Sequence, residues 1–177
     1  MYNIDLGLLI AALNFYTLRG YRPLSAPLLV DSDIVGLTLP SNRSSKEHLG
    51  LHYVGSAEQS FYQLMKDGLL PKGKYMLLTP CHRDEVNDES HLDIFLKLEL
   101  ISVSVDSINL GRDAYDFYDS LGDRVEIVKT EELSGFDLEL NGVEVGSFGS
   151  RIFNNQLVSY GTGLALPRYT QATKCLI

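Results

Sequence analysis

The densest group of chemistry-bearing residues is Cys81-His82-Arg83-Asp84-Glu85, followed after a polar stretch by His91 and the run Phe95-Leu96-Lys97-Leu98-Glu99. In an extended chain side chains alternate between faces, so Arg83 and Glu85 point one way, while Phe95, Lys97 and Glu99 share a face of the return run. A guanidinium fork suits a phosphate and an aromatic face suits a nucleobase. A solvated hairpin with cross-strand salt bridges would use the same residues, and spacing alone leaves both readings open.

Three further segments carry candidates. In Ser159-Tyr160-Gly161-Thr162-Gly163 running on to Arg168, paired glycines permit close approach of a ligand to backbone, and they equally describe a tight packing turn. Glu144 and Ser147 follow the Asn141-Gly142 turn and supply the oxygen donors that Mg²⁺ takes, although by position Glu144 is also an ordinary polar residue beside a turn. Ser56 and Glu58 read as the N-cap and first-turn acid of a helix. No Ser-His-Asp or Cys-His arrangement stands out. Cys81, Cys175 and the four histidines show no metal-ligand spacing, which leaves two free thiols in a reducing, cytoplasmic compartment.

These residues need elements to position them. Asp5 to Arg19 reads as a helix ended by Gly20, and Leu28-Leu29-Val30 as a short strand. Asp31 to His52 has the pattern of an irregular surface loop. A helix is expected from Ala57 to Gly68. A strand from Lys74 to Glu85, a turn over Val86 to Ser90 and a return strand from Leu92 to Leu100 form a hairpin, with Leu96, Leu98 and Leu100 on its greasy face. A further helix covers Asp106 to Leu121. Strands follow at Arg124 to Val128, Phe136 to Leu140, Val143 to Val145 and Arg151 to Ser159, with Asn141-Gly142 as a two-residue hairpin turn. Gly161 to Leu164 then leads into a terminal helix carrying Arg168. Strands joined by short turns, with helices at the start, middle and end, predict an α+β fold with a largely antiparallel sheet.

The 177 residues suit one domain, 1–177, able to bury roughly 70% of the surface of its unfolded chain. The apolar start at Leu6 to Leu13 follows Asp5 without a basic residue and reads as a buried helix rather than a signal peptide, and no run is long enough to span a membrane. The net charge of -8 lies between Asp106 and Glu144, and the remainder of the chain is neutral. No stripe of Lys and Arg is visible, which argues against broad nucleic-acid binding.

Taken in order, these segments resemble the motifs of class II aminoacyl-tRNA synthetases. Arg83, Glu85 and Phe95 fall on the positions of motif 2, with His82 where phenylalanine is usual. The resemblance implies Arg83 at the α-phosphate and activated carboxylate, Glu85 near the adenine amino group, Phe95 stacked on adenine, and His91 as the one candidate for a triphosphate contact from the turn. Gly161, Gly163 and Arg168 match motif 3, which implies Arg168 at the γ-phosphate; Ala165 and Pro167 depart from the pattern. Glu144 and Ser147 look like the Mg²⁺ and ATP ligands of the aspartyl and asparaginyl branch. Val54 to Gln59 resembles the loop that holds the substrate's α-amino group, with Glu58 as anionic anchor and Ser56 beside it. Arg19 to Leu29 resembles motif 1, with Pro27 at its dimer-interface proline.

What the resemblance implies is a class II aminoacyl-tRNA-synthetase-like antiparallel β-sheet flanked by helices. The implied activity is ATP- and Mg²⁺-dependent activation of an amino acid or similar carboxylate, in a homodimer. A catalytically weak paralogue acting in regulation or assembly is the alternative. Anticodon-reading domains have no room in 177 residues, so tRNA binding is not expected without a partner domain.

Overall fold

The computed structural model describes residues 4–39, 43–84, 92–104, 107–130, 135–166 and 168–174. The first helix, α1 (Leu6–Leu18), is capped by the Asp5 carboxylate, which accepts from the Leu8 N–H at 2.9 Å, and ends where Gly20 takes φ +84°. Two residues later β1 (Arg22–Pro23) pairs in parallel with β5 (Gly73–His82). From there the sheet is antiparallel, through β6 (Ile94–Val103), β10 (Gln156–Leu166), β9 (Val143–Phe153), β8 (Phe136–Leu140) and β7 (Glu126–Lys129), in the order β1-β5-β6-β10-β9-β8-β7. Three other helices, α3 (Ala57–Lys66), α4 (Ser107–Ser120) and α5 (Arg168–Lys174), flank it. The fold is the expected α+β type.

Alternation along β6 sorts the two faces. Leu98 and Leu100 join Leu138, Phe148, Leu164 and Leu166 in a core closed by α1, α4 and α5. Ile101 and Val103, on the opposite face, join Tyr75, Leu77 and Val158 in a second core beneath α3. That second face is covered only in part. Phe95, Lys97 and Glu99 continue it beyond the cover, and the cleft described below opens there.

Several boundaries differ from the sequence reading. The segment expected to be an irregular loop, Asp31 to His52, holds α2 (Ser32–Gly36), β3 (Glu47–His48) and the start of β4 (Leu51–Tyr53), and these strands complete a three-stranded sheet with β2 (Leu29–Val30), the short strand expected there. Its apolar pair Ile34-Val35 packs with Val54, just beyond the segment, in the core beneath α3, whereas the polar residues between them dominate the sequence pattern. The strand carrying the Cys81 cluster stops at His82 rather than at Glu85. The strands expected at Val143 to Val145 and Arg151 to Ser159 are instead two long strands, β9 and β10, joined at Asn154-Asn155. Both asparagines have positive φ, as a tight hairpin turn needs, and lack the glycine that signals one. The Asn141-Gly142 turn forms as expected, with φ +53° and +75°. The proline on the strand that follows α1 into the large sheet is Pro23, and Pro27 lies beyond it. No helix among the described residues is long and apolar enough to cross a membrane.

Candidate active site

Two β-bulges decide which side chains enter the cleft. Leu138 pairs with Gly146 and Glu139 with Glu144, so Val145 is an extra residue in β9. Strict alternation would put Glu144 and Ser147 on opposite faces; the extra residue turns both toward the cleft. In β10, Thr162 pairs with Glu99 and Leu164 with Leu98, so Gly163 is the extra residue. Thr162 and Ala165 thereby face the cleft with Glu99 and Lys97, while Leu164 and Leu166 stay in the core.

The cleft has a volume of about 560 Å³ and gathers residues from well-separated parts of the chain. At one end Arg83 continues the hairpin beyond β5, its N–H donating to the Asp93 carbonyl at 2.8 Å. Its guanidinium carbon lies 5.0 Å from the centre of the Phe95 ring, a cation–π contact. Across the opening Arg168, the first residue of α5, bonds Glu144 at 2.6 Å, and Ser147 lies on the same wall. Thr38 and the segment Arg43 to Ser45 close the mouth from the small-sheet side. Glu85 and His91 lie outside the described residues.

The floor is polar and buried. Glu99 is 5% exposed and Lys97 8%, with 2.9 Å between Lys97 Nζ and Glu99 Oε1. Ser56 Oγ donates to the same oxygen at 2.6 Å, and the Ala57 N–H donates to Oε2. Glu99 therefore sits at the N-terminus of α3, where the helix dipole and free N–H groups favour an anion. Ser56 is the N-cap of α3, as read from the sequence, and its hydroxyl also reaches into the cleft floor.

Glu58, expected as an anchor for a substrate ammonium, lines the cleft but has partners within the chain. Its Oε1 accepts from Tyr62 Oη at 2.8 Å and lies 3.2 Å from Arg151 Nε. Arg151 in turn donates to the Leu37 carbonyl at 2.6 Å and to Tyr160 Oη at 3.0 Å. Burial pushes the Glu58 carboxyl up to about 7 against the opposing pull of Arg151 and the Tyr62 hydrogen bond.

Gly163 and Gly161 have packing duties. Gly163 faces away from the cleft, where a Cβ would come within 3.0 Å of Tyr16 and 3.1 Å of Leu100, and its carbonyl accepts from Tyr16 Oη at 2.9 Å. A Cβ on Gly161 would run into the Phe148 ring, in the core. These contacts express close packing, and Gly161 also lines the cleft. Cys81 is a free, buried thiol pushed up to about 12 by burial, an inert setting; Cys175 lies outside the described residues.

Lys97 and Glu99 were legible as cleft-facing charges, but their pairing was not. Tyr160 and Thr162 lie inside the glycine segment, where the glycines give the stronger local signal. Arg151 gave no signal, because its partner Glu58 is far away in sequence. No group of three or more His, Cys, Asp or Glu able to hold a metal occurs among the described residues. The available oxygen pair, Glu144 and Ser147, suits Mg²⁺ only in the mode where substrate phosphates and water complete the shell.

No protein-family model matches the chain, and no curated protein sequence is similar to it. Solved structures are. A pyrrolysyl-tRNA synthetase from Desulfitobacterium hafniense superposes with a TM-score of 0.76 at 16% identity, over 96% of this chain and 66% of that one. A second structure of pyrrolysyl-tRNA synthetase from the same organism gives 0.74 at 15% identity, over 96% and 69%. The chain thus spans about two thirds of the length of these proteins, and at this identity the likeness is one of architecture: an α+β sheet flanked by helices, in the class II aminoacyl-tRNA-synthetase-like arrangement.

Proposed function

We propose that the cleft binds ATP and activates a carboxylate, releasing pyrophosphate and leaving the acyl group on AMP; an amino acid, as the sequence resemblance implies, is one member of that substrate class. The observation that carries this reading is the placement of Arg83 with Phe95 at one end and Arg168 with Glu144 and Ser147 on the facing wall of a single cleft. A nucleobase would lie on the Phe95 ring. Arg83 would counter the charge that develops at the α-phosphate, and Arg168 would hold the distal phosphates. Glu144 and Ser147 would hold Mg²⁺, which when bound neutralises part of the triphosphate charge. Because Arg168 and Glu144 bond one another directly, each must exchange that partner for a phosphate or the metal as the nucleotide enters. The protein works by placement and charge, and no side-chain nucleophile is required.

A homodimer is part of this reading. The outward side of α1 carries Leu6, Ile10 and Leu18 at 64%, 57% and 87% exposure, with Asn14 and Thr17 as the polar residues between them. Three large exposed apolar side chains on one side of a helix call for cover. The tRNA-related steps of the similar synthetases are not assigned to this chain.

Calorimetric titration with Mg²⁺ and ATP, followed by carboxylate-dependent pyrophosphate exchange, tests the proposal. Absence of binding at millimolar ATP would sink it. Binding without exchange would favour the second reading, a paralogue that keeps the nucleotide site for regulation or assembly; the Ala165 and Pro167 departures favour that reading.

A further inference from the structure

Among the described residues, the acidic side chains of the cleft are already engaged. Glu144 is held by Arg168 at 2.6 Å, Glu58 by Arg151 at 3.2 Å, and Glu99 by Lys97 at 2.9 Å together with Ser56 and the Ala57 N–H. Asp84, exposed at the mouth, accepts from the Ser44 hydroxyl. On Glu99, both acceptor directions of Oε1 are filled and one of Oε2 is taken. Lys97 lies two residues from Phe95 on the same face of β6, between the aromatic platform and Glu99. Opposite it on β10 stands Ala165, whose methyl group leaves space beside the ammonium. An acyl group entering next to the nucleotide end of the cleft therefore meets a cation.

We propose that Lys97 is a resident ammonium, occupying the anionic site at Glu99 that a substrate α-ammonium would need, and that the cleft activates acids without a free α-ammonium group: 2-hydroxy, 2-oxo or simple acyl acids, whose carboxylate Lys97 orients toward Arg83. This rests on the activation reading above and narrows its substrate class. A second ammonium at Glu99 would have to expel Lys97 or sit beside a like charge in a site shielded from water, whereas a carboxylate gains from the same neighbour. In the reaction a carboxylate oxygen bonds to the α-phosphorus. The bond from that phosphorus to the bridging oxygen breaks, and its electron pair departs on pyrophosphate. No proton or electron acceptor is needed.

The test uses three non-hydrolysable adenylate mimics, the propionyl, lactyl and alanyl sulfamoyl adenosines, which differ only in carrying H, OH or NH₃⁺ at the α-carbon. Their affinities, and that of Mg²⁺ with ATP, are measured by calorimetry on the full chain. The wild type should bind the propionyl and lactyl compounds at least tenfold more tightly than the alanyl one, about 1.4 kcal/mol. Lys97→Met releases Glu99 and should shift that ratio at least tenfold toward the alanyl compound. Lys97→Arg keeps a cation and should retain the wild-type order, which separates lost charge from misfolding. Equal or tighter alanyl binding by the wild type overturns the proposal, and if Glu58→Gln then erases that binding, Glu58 is the ammonium anchor instead. A ratio unmoved by Lys97→Met also overturns it, as does binding of ATP with none of the three mimics. Failure to bind ATP would instead bring down the activation reading itself.

Discussion

Glu58→Gln should make the protein more stable at alkaline pH, although it deletes one half of an ion pair. Glu58 is 8% exposed, and burial raises its carboxyl from 4.5 in the free state to about 7 in the fold. A raised carboxyl binds its proton more tightly when folded. The unfolded chain therefore ionises first as pH rises, and stability falls from about pH 4.5 until the folded group also titrates near pH 7. Integrating between those values, the native state loses roughly 2.5 kcal/mol between pH 5 and pH 8. The substituted amide cannot ionise, keeps an acceptor for the Tyr62 hydroxyl, and leaves Arg151 its bonds to the Leu37 carbonyl and the Tyr160 hydroxyl. Wild type and variant should thus be nearly equally stable at pH 5, where Glu58 is already neutral in the fold. At pH 8 the variant should lead by about 2–3 kcal/mol, equivalent to about 5–10 °C in Tm for a domain of this size. Urea denaturation of both proteins at pH 5, 6, 7 and 8 isolates the effect, because all other titrating groups cancel in the difference. A difference independent of pH, or a variant that loses ground as pH rises, would show that Arg151 outweighs burial and refute the reasoning.

Other perturbations address the packing and the site separately. Gly161→Ala places a methyl group where Phe148 now lies and should cost about 1–3 kcal/mol in urea denaturation, the usual penalty of overpacking. Tyr16→Phe removes the hydroxyl that satisfies the Gly163 carbonyl and should cost about 1–3 kcal/mol, while Leu13→Ala, on the same helix, serves as a control for ordinary core truncation. Arg83→Ala should weaken calorimetric binding of Mg²⁺ and ATP at least tenfold with little change in Tm, since the side chain stands at the rim; unchanged affinity would remove Arg83 from the nucleotide site. Replacing Leu6, Ile10 and Leu18 together by lysine should convert a dimer to a monomer in sedimentation velocity, and a wild type that sediments as a monomer would show that α1 needs no partner.

Much of the sheet was legible because it obeys period two. Leu98 and Leu100 alternate with Lys97 and Glu99, and the greasy and polar faces of β6 follow directly. The Asn141-Gly142 turn and the Ser56 cap carry local signals strong enough to place them. The β9–β10 hairpin was misplaced because Asn154-Asn155 lacks glycine and because the glycines of β10 resemble a break in a strand. Of the three-stranded sheet only β2 was legible, from the apolar run Leu28-Leu29-Val30; β3 and β4 were missed because strands of two or three residues are too short to show alternation. The partner of Glu58 depends on tertiary packing: Arg151 arrives on a strand from the other half of the chain, and no local pattern links the two.

The two bulges mark the limit of reading a site from alternation. An unbulged β9 would place Glu144 with Gly146 and Phe148 on the core face, and would leave Ser147 on the cleft wall beside Val145 rather than Glu144. An unbulged β10 would keep Thr162 in the cleft but bring Leu164 and Leu166 in beside it. In each strand one extra residue corrects the phase, and both corrections fall beyond the cover of α3, where one face must be polar and the other still packs against α1, α4 and α5. At Gly163 the extra residue has no side chain to house, and Tyr16 and Leu100 fill the space beside it; at Val145 it joins the core and its carbonyl accepts from Tyr118 Oη at 3.1 Å. The paired glycines therefore carry a packing role as well. Gly161 makes room for Phe148 and Gly163 absorbs a change of register, and together they let a strand that serves a hydrophobic core on one side present Thr162 and Ala165 to a charged cleft on the other.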